Sequence, residues 1–380
     1  MAERALITSE CVSMGHPDKV ADQISDGVLD ACLAVDKHSR VACETLVTTG
    51  QVVIAGEITS RARVEYGDVA RKVVHEIGYN DPALKFDSES CGVMVCVHSQ
   101  SPDISMGVTA FKKKEQGAGD QGMMFGYACT DTPELMPYPI MAARRMMNRL
   151  AELRFAGRLG YIRPDSKCQV TGEYVDGRLV RVHTVVLSTQ HGPEVEQSQI
   201  RADMIKHVIK QVIEPEYLDA HTVYHINPTG RFVTGGPHGD TGLTGRKIIC
   251  DTYGGVGSHG GGAFSGKDPS KVDRSAAYAM RHIAKNIVKA GLARRCEVQV
   301  SYAIGLATPI AIHVDTEGTG KMKESELVKL VRKHFPLKPA EIISYYDLLR
   351  PIYKNTARFG HFGVAGGGRT WEKTEVAKKL

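Results

Sequence analysis

Near its middle the chain reads Gln169-Val-Thr-Gly-Glu-Tyr-Val-Asp-Gly-Arg-Leu-Val-Arg-Val-His-Thr-Val-Val-Leu-Ser-Thr189. The pair Asp176-Gly177 is a strong signal for a tight turn, because both residue types adopt positive φ angles readily. The runs on either side are rich in β-branched residues, which favour strands. The stretch therefore predicts a β-hairpin with strands at Gln169–Val175 and Leu179–Thr189.

The same pattern occurs twice more, and the three predicted hairpins are evenly spaced. Strands are predicted at Val41–Thr48 and Val52–Thr59, and again at Glu297–Ile304 and Ile310–Asp315. The three turns lie near residues 50, 177 and 308, with spacings of 127 and 131 residues. This period is far longer than a solenoid repeat, so it indicates repeated domains.

Each predicted hairpin has similar neighbours, namely a strand and a helix before it and a helix and a strand after it. The preceding strands are predicted at Ala5–Val12, Met123–Cys129 and Lys247–Tyr253, and the preceding helices at Lys19–Val35, Met136–Phe155 and Lys271–Lys289. The helices after the hairpins are predicted at Val64–Ile77, at the stretch whose apolar face is formed by Ile200, Met204, Val208 and Val212, and at Glu324–Phe335. The closing strands are predicted at Cys91–His98, Thr222–Phe232 and Ile342–Leu348. The order β-α-β-β-α-β, three times, predicts an α+β protein of three structurally similar domains in a pseudo-threefold arrangement.

The domain boundaries follow from this period. We expect an N-terminal domain at 1–103, a loop or linker at 104–121, a central domain at 122–233 and a C-terminal domain at 234–380. The segment Ser99–Gln121 is polar, lacks a hydrophobic period and is long for a connection. It is therefore either a linker or a functional lid.

Composition excludes several classes of protein. The 380 residues include 48 Lys+Arg and 43 Asp+Glu, and the net charge of +5 is too small to indicate a protein that coats nucleic acid. No apolar run approaches the ~20 residues of a membrane span, and the start lacks the pattern of a signal peptide. The nine cysteines contain no Cys-x-x-Cys pair, which argues against a disulfide scaffold or a zinc ribbon. We expect a cytoplasmic protein with no nucleic-acid or membrane partner.

Glycine is concentrated between Gly254 and Gly266, where seven of the 39 glycines lie. The motif Gly255-Val-Gly-Ser-His-Gly260 matches a dinucleotide fingerprint, but no predicted helix follows at once, as that fold requires. The motif Gly261-Gly-Ala-Phe-Ser-Gly-Lys267 matches most of a P-loop, but Asp268 stands where a hydroxyl should bind Mg²⁺. The sequence favours neither fold, yet glycine-rich backbone beside Lys267 indicates a site for an anion such as phosphate.

A second cluster of charged residues opens the chain, with Glu10 followed by Met14-Gly-His-Pro-Asp-Lys19. Carboxylates are ligands that Mg²⁺ prefers, while lysine and histidine suit phosphate oxygens. The same mixture of acids and bases recurs at Asp165, Lys167, Asp240, Arg246, Lys247 and Asp273. Each residue alone is compatible with a surface ion pair. Together they indicate a phosphate and metal site assembled from all three domains.

Three of these stretches resemble the motifs of the S-adenosylmethionine synthetases, also called methionine adenosyltransferases: Gly15-His-Pro-Asp-Lys19, Gly117-Ala-Gly-Asp-Gln-Gly122 and Gly260-Gly-Gly-Ala-Phe-Ser-Gly-Lys-Asp268. The resemblance extends from Thr8 to about Gly363. It implies that the sulfur of L-methionine displaces the tripolyphosphate from C5′ of ATP, and that the tripolyphosphate is then hydrolysed to phosphate and pyrophosphate. The thioether is itself the nucleophile, which agrees with the lack of a recognisable catalytic triad in the sequence.

The resemblance also implies cofactors and an assembly. The cofactors are two Mg²⁺ ions per site and K⁺, and the assembly is a homo-oligomer, commonly a dimer of dimers, with active sites at the dimer interface. The segment Ser99–Gln121 resembles the mobile active-site loop of the family, which favours the lid over the linker.

Individual residues take their implied roles from the same resemblance. The implied catalytic residues are His16, Lys167, Arg246 and Lys267. The implied ATP-binding residues are His16, Asp165, Lys167, Arg231, Phe232, Asp240, Arg246, Lys247, Ala263 and Lys267. Those implied around methionine are Glu57, Gln100, Asp120, Asp240 and Lys271. The implied metal ligands are Asp18, Asp273 and Glu10 for Mg²⁺ and Glu44 for K⁺.

Two positions depart from the family pattern, and two other functions stay open. Met14 stands where the family usually has an acidic residue, and Gly363-Val-Ala-Gly-Gly-Gly-Arg369 replaces a more polar stretch. One alternative is a non-catalytic ATP or polyphosphate sensor with the same fold. The other is a P-loop NTPase, which would form ADP whether or not methionine is present.

Overall fold

The computed structural model describes residues 3–100, 115–364 and 366–380. Its strands are β1 (Arg4–Val12), β2 (Arg40–Thr48), β3 (Gln51–Thr59), β4 (Gly92–His98), β5 (Gly122–Cys129), β6 (Ile162–Val175), β7 (Arg178–His191), β8 (Val223–Ile226), β9 (Gly242–Leu243), β10 (Arg295–Tyr302) and β11 (Ala311–Asp315). Its α-helices are α1 (Pro17–Val35), α2 (Tyr66–Ile77), α3 (Tyr138–Phe155), α4 (Gln197–Asp203), α5 (Ile248–Asp251), α6 (Val272–Lys289), α7 (Glu324–His334) and α8 (Pro339–Tyr345), with α4 continuing through a π-helical turn to Val212.

The predicted hairpins are confirmed, and each lies in a sheet of its own. The strand orders are β4-β3-β2-β9, β1-β6-β7-β8 and β11-β10-β5. The hairpin strands pair antiparallel, whereas β4 and β8 pair parallel to β3 and β7. A helix separates each of these parallel pairs, as a parallel connection requires. The predicted α+β class is confirmed.

The sheets exchange strands in a cyclic way that the sequence repeat did not reveal. Strand β1, from the start of the chain, completes the sheet of the second hairpin, and β5 completes that of the third. Strand β9, from the C-terminal part, completes the sheet of the first hairpin. Helices α1, α3 and α6 each pack across one of these junctions between a hairpin and its added strand. The repeat is therefore pseudo-threefold, with each third of the chain contributing to two sheets.

Two predicted strands are wrong, because both segments are helical. The run Lys247–Tyr253 contains α5, where a helical turn places the Asp251 carboxylate beside the buried ammonium of Lys19. The run Ile342–Leu348 overlaps α8, which starts at Pro339 and buries Ile342 and Ile343 on one side. The tertiary contacts outweigh the strand preference of the β-branched residues, and the third sheet has three strands. The closing strand predicted at 222–232 is shorter than expected, since it ends before Asn227, whose φ is +41°.

The inner face of each sheet is buried under helices, and the outer face is open. Cys11 and Met124, on β1 and β5, lie in the core, whereas Glu10 and Met123, the residues before them, are exposed. Large apolar side chains are exposed on strands of all three sheets, with relative exposures of 56% for Leu6, 55% for Met94 and 52% for Met123. In the described residues, none of the helices combines the length and the apolarity that crossing a bilayer requires.

Candidate active site

A first cluster of predicted site residues surrounds the start of α1, and His16 is at its centre. His16 caps this helix, and its Nδ1 accepts a hydrogen bond from the Asp18 amide at 3.2 Å. Burial, with the nearby charge of Lys247, lowers the pKa of His16 to about 3. The imidazole is therefore neutral near pH 7, and because Nδ1 is an acceptor, the ring proton lies on Nε2. His16 thus offers an N–H donor rather than a positive charge.

Asp18 gathers the basic residues of this cluster. One carboxylate oxygen accepts the Leu243 amide at 2.9 Å and lies 3.6 Å from Nε of Arg246, and the other accepts the ammonium of Lys247. Burial alone would raise the pKa of Asp18, but the hydrogen bonds from Lys247 and Leu243 outweigh it and lower the pKa. Strand β9, which carries Leu243, is thus anchored both to β2 and to the start of α1.

Asp165 and Lys167, on β6, adjoin the same cluster. Lys167 pairs in register with Val12 and has an exposed side chain. Asp165 is buried, accepts the Gly236 amide at 2.9 Å through Oδ2, and has no hydrogen-bond partner for Oδ1 within the described residues. Burial raises the pKa of Asp165 to about 6. An orphaned buried carboxylate oxygen next to an exposed lysine is an acceptor for a ligand hydroxyl or amine.

The segment after β8 brings three further predicted residues to this cluster. The Phe232 amide donates to Nε2 of His191 at 3.0 Å, which fixes Arg231 and Phe232 beside the end of β7. The amide of Asp240 donates to the Gly236 carbonyl at 3.1 Å, in the turn that Asp165 holds. The sequence analysis did not identify His191 as a residue of this region.

A second cluster forms where the glycine-rich loop meets β2 and α6. The ammonium of Lys267 lies 2.7 Å from Oδ2 of Asp273, and the Lys271 ammonium donates to Oδ1 of the buried Asp268. Gly266 has a φ of +78°, and a Cβ on it would stand 1.9 Å from the Cys43 carbonyl oxygen. Glycine is therefore required here for the loop to pair with β2 and to position Lys267.

Two predicted carboxylates lie on the outer face of the neighbouring sheet. Glu44 pairs in register with Ala55 and Glu57 with Ala42, so both alternate with the buried residues of their strands. Ala42 also bridges to Lys267, and Glu57 lies 3.3 Å from His98. These contacts place Glu44 and Glu57 beside the second cluster.

The two clusters border each other but are not joined. A Cβ on Gly245, next to Arg246, would lie 2.5 Å from Cβ of Ala263 in the glycine-rich loop. Within the described residues, however, no hydrogen bond or ion pair links the predicted site residues of the first cluster with those of the second. Those of the first cluster are His16, Asp18, Asp165, Lys167, Arg231, Phe232, Asp240, Arg246 and Lys247. Those of the second cluster are Glu44, Glu57, Ala263, Lys267, Lys271 and Asp273.

The predicted Mg²⁺ ligands are likewise not brought together in one chain. Glu10 accepts a hydrogen bond from Gln169 at 3.2 Å on the outer face of its sheet. Asp18 is paired with Lys247 in the first cluster, and Asp273 is paired with Lys267 in the second. No group of three metal-ligating side chains occurs in the described part of the chain. The donors still suit Mg²⁺, which typically takes one or two carboxylates and completes its shell with water and substrate phosphates. In the described structure, Asp18 and Asp273 are each paired with a lysine ammonium group.

The predicted loop is only partly described. Residues 104–114 of the predicted loop at 104–121 lie outside the described residues. Its end is anchored, because the Ala118 amide donates to the Leu306 carbonyl at 2.8 Å and Gly119 packs against Ser270, next to Lys271. Asp120 is exposed beside this contact, and the Gln100 amide donates to Thr59 at 3.1 Å at the other end.

Lys19 has a structural role instead of the phosphate-binding one that its motif indicated. Its ammonium is fully buried between Asp22, at 3.0 Å, and Asp251, at 2.5 Å. The signal in the sequence was the Lys–Asp pair at i and i+3 on α1. Asp251 is 232 residues away and gave no such signal.

Comparison with protein families assigns this architecture. Models of the N-terminal, central and C-terminal domains of S-adenosylmethionine synthetase match residues 4–102, 115–232 and 234–373. The chain belongs to the S-adenosylmethionine synthetase family. The three-domain α+β prediction agrees with this family, whose activity is the synthesis of S-adenosylmethionine and whose substrates are ATP and methionine.

Both departures from the family pattern have a structural setting. Nη2 of Arg358 donates a hydrogen bond to the sulfur of Met14 at 3.4 Å. After the glycine-rich stretch, Trp371 is fully buried and stacks on Tyr278 with 4.0 Å between ring centroids. The glycines therefore do not prevent the end of the chain from packing on α6.

Proposed function

We propose that the chain is a methionine adenosyltransferase that uses the two clusters as complementary parts of one active site. The methionine sulfur attacks C5′ of ATP, the S–C5′ bond forms, and the C5′–O bond breaks to release the tripolyphosphate. Water then cleaves the tripolyphosphate into phosphate and pyrophosphate. The observation that carries the proposal is the neutral His16 donor beside the basic residues on Asp18.

The chain's own residues account for the difficult step, which is the departure of a highly charged leaving group. The Nε2–H of His16 donates a hydrogen bond to the leaving oxygen, where charge develops. Lys167, Arg246, Lys247 and Lys267 neutralise the phosphates. Bound Mg²⁺, held by Asp18 and Asp273, would supply further positive charge to the polyphosphate, and Glu10 and Glu44 remain predicted ligands for Mg²⁺ and K⁺.

Substrate positions follow the predicted residues. Arg231, Phe232 and Ala263 line the adenosine position, and Asp165 and Asp240 bind polar groups of the nucleotide. Glu57, Gln100, Asp120, Asp240 and Lys271 surround methionine. The carboxylates among these residues suit its ammonium group, and Lys271 suits its carboxylate.

The proposal includes a homodimer whose active sites are completed by the partner, within a dimer of dimers. Glu10, Glu44 and Glu57 project from the outer faces of sheets on which Leu6 and Met94 are also exposed. Exposed apolar sheet faces of this kind favour association with another protein surface. A twofold axis would bring the first cluster of one copy to the second cluster of the other.

A product assay distinguishes this function from the alternatives. With ATP, methionine, Mg²⁺ and K⁺, we expect S-adenosylmethionine, pyrophosphate and phosphate in equal amounts, and no S-adenosylmethionine when methionine is omitted. Binding of ATP without these products would instead indicate a polyphosphate sensor. Formation of ADP at the same rate without methionine would indicate a P-loop NTPase.

Complementation tests whether the site is shared between two copies. We expect the His16→Asn variant and the Lys267→Gln variant each to be inactive alone. The first lacks an essential side chain of the first cluster, and the second lacks one of the second cluster. Co-expressed, they should recover about a quarter of wild-type activity, since half of a random set of dimers is hybrid and each hybrid has one intact site.

One control accompanies the complementation experiment. A pair of variants within one cluster, His16→Asn with Lys247→Gln, should recover nothing when co-expressed. Failure of the His16→Asn and Lys267→Gln pair to recover activity, despite hybrid formation, would place both clusters in a site within a single chain.

A further inference from the structure

A large cavity, lined by no residue of the two clusters, lies between α3 and the C-terminal segment, of which residues 355–364 and 366–369 are described. Its volume is about 980 Å³, at the upper end of the range for small-molecule sites. Five arginines line it: Arg144, Arg145, Arg149, Arg358 and Arg369. None of these arginines belongs to the set of residues proposed for ATP, methionine or metal binding.

Two of the arginines are neutralised by carboxylates of the same cavity. Arg145 lies 2.9 Å from Glu134 and Arg149 lies 3.2 Å from Glu152. These pairs leave the positive charge of the other three arginines uncompensated within the cavity.

Arg144 is a structural residue that positions the cavity wall. It is 4% exposed, and its guanidinium donates to the carbonyls of Phe362, Cys250 and Thr252. These bonds hold the C-terminal segment against α3 and α5. They satisfy donors of Arg144 without cancelling its charge.

Arg358 and Arg369 are the two arginines whose charge remains available. Within the described residues, Arg369 donates to the Asn355 carbonyl at 2.9 Å and Arg358 contacts the Met14 sulfur at 3.4 Å, and neither forms an ion pair. Their Nε groups are buried and lack protein acceptors in the same part of the chain. Each guanidinium is thus left with unused donors.

The electrostatic cost of this arrangement is visible in both side chains. Burial lowers the pKa of both Arg358 and Arg369. For Arg369, the charges of Tyr278 and Glu372 oppose this effect only in part, and the charge of Arg144 adds to it. The Glu76 carboxylate, which acts on Arg358 from a distance, is already paired with Lys354 at 2.6 Å. An anion in the cavity would stabilise the charged form of both guanidinium groups, which burial disfavours.

We infer that the cavity between α3 and the C-terminal segment binds a phosphate-bearing anion through Arg358 and Arg369. The planar guanidinium donors match the oxygens of a phosphate group. Met141, Val212 and Phe359 also line the cavity and provide an apolar surface for an organic body. The site shares no residue with the two clusters of the proposed active site.

Titration calorimetry with pyrophosphate and with AMP tests this site in the full chain. The background carries Lys247→Gln and Lys267→Gln, which weaken binding at the two clusters. We expect one binding event per chain, and we expect Arg358→Gln with Arg369→Gln to weaken it at least about tenfold. Tighter binding of AMP would assign an organic phosphate as the ligand, and tighter binding of pyrophosphate an inorganic one.

A charge-matched control separates a specific site from general attraction. Arg178→Gln with Arg332→Gln removes two exposed arginines elsewhere and should leave the affinity unchanged. Equal weakening by both pairs, or unchanged binding in the Arg358 and Arg369 pair, would overturn the inference.

A measurement on the unmutated chain does not depend on how the variants fold. Pyrophosphate or AMP should slow hydrogen exchange in 355–364, which lies along the cavity. Exchange in this segment that is unchanged at saturating concentrations of both ligands would equally overturn the inference.

Discussion

Replacement of Asp18 by Asn is expected to lower kcat by about 10³-fold, the scale of losing one electrostatic contribution to a transition state. The Asn side chain can still accept the Leu243 amide, but it no longer carries the charge that holds Lys247 and the proposed Mg²⁺. We also expect a higher Mg²⁺ concentration for half-maximal rate. The measurement is S-adenosylmethionine formation at saturating ATP and methionine over a range of Mg²⁺ concentrations.

Stability should change much less than turnover in this variant. Losing one charged hydrogen bond costs about 1.5–3 kcal/mol, which corresponds to a decrease of several degrees in Tm. Asp219→Asn is a matched control, since Asp219 pairs with Arg181 at 2.6 Å in an exposed position away from both clusters. Wild-type kcat in Asp18→Asn would contradict the role assigned to Asp18.

The fold was predictable from the sequence wherever local signals agreed with the tertiary contacts. The turn at Asp176-Gly177 and the β-branched runs beside it correctly predicted β6 and β7. The run Lys247–Tyr253 was predicted as a strand in the same way but forms α5, because Asp251 must reach Lys19 in the core. Local propensity contains no information about an ion pair between residues so far apart in the chain.

The sequence proposed the residues of the candidate site one by one, but it did not predict their arrangement. Motifs predicted His16, Asp18 and Lys267 as site residues without any structure. They did not reveal that Asp18 and Lys267 belong to separate clusters, because the cyclic exchange of β1, β5 and β9 determines which segments become neighbours. They also did not identify Lys19 as a buried structural ion, since its motif resembles a phosphate-binding one.

Replacement of Arg274 by Met is expected to reduce the free energy of unfolding by about 3–5 kcal/mol, the usual result of breaking a buried ion pair. Arg274 and Asp26 are fully buried, and two parallel hydrogen bonds of 2.7 and 2.8 Å join them. The substitution leaves the Asp26 charge without its partner between α1 and α6. Urea denaturation measures the loss, and Arg4→Met, which breaks the exposed pair with Glu173, should cost less than about 1 kcal/mol.

A double variant separates the cost of an unpaired charge from the value of the pair itself. Asp26→Asn with Arg274→Met removes both charges, so its loss should be smaller than the sum of the two single losses. The substituted amide side chain would still offer an oxygen to the Gly266 amide, which now donates to Asp26 at 2.9 Å and precedes Lys267. Recovery of stability together with activity would mean that the side-chain oxygen at position 26, rather than the ion pair, positions the glycine-rich loop. Additive losses would instead contradict the idea that the unpaired charge is the main source of destabilisation.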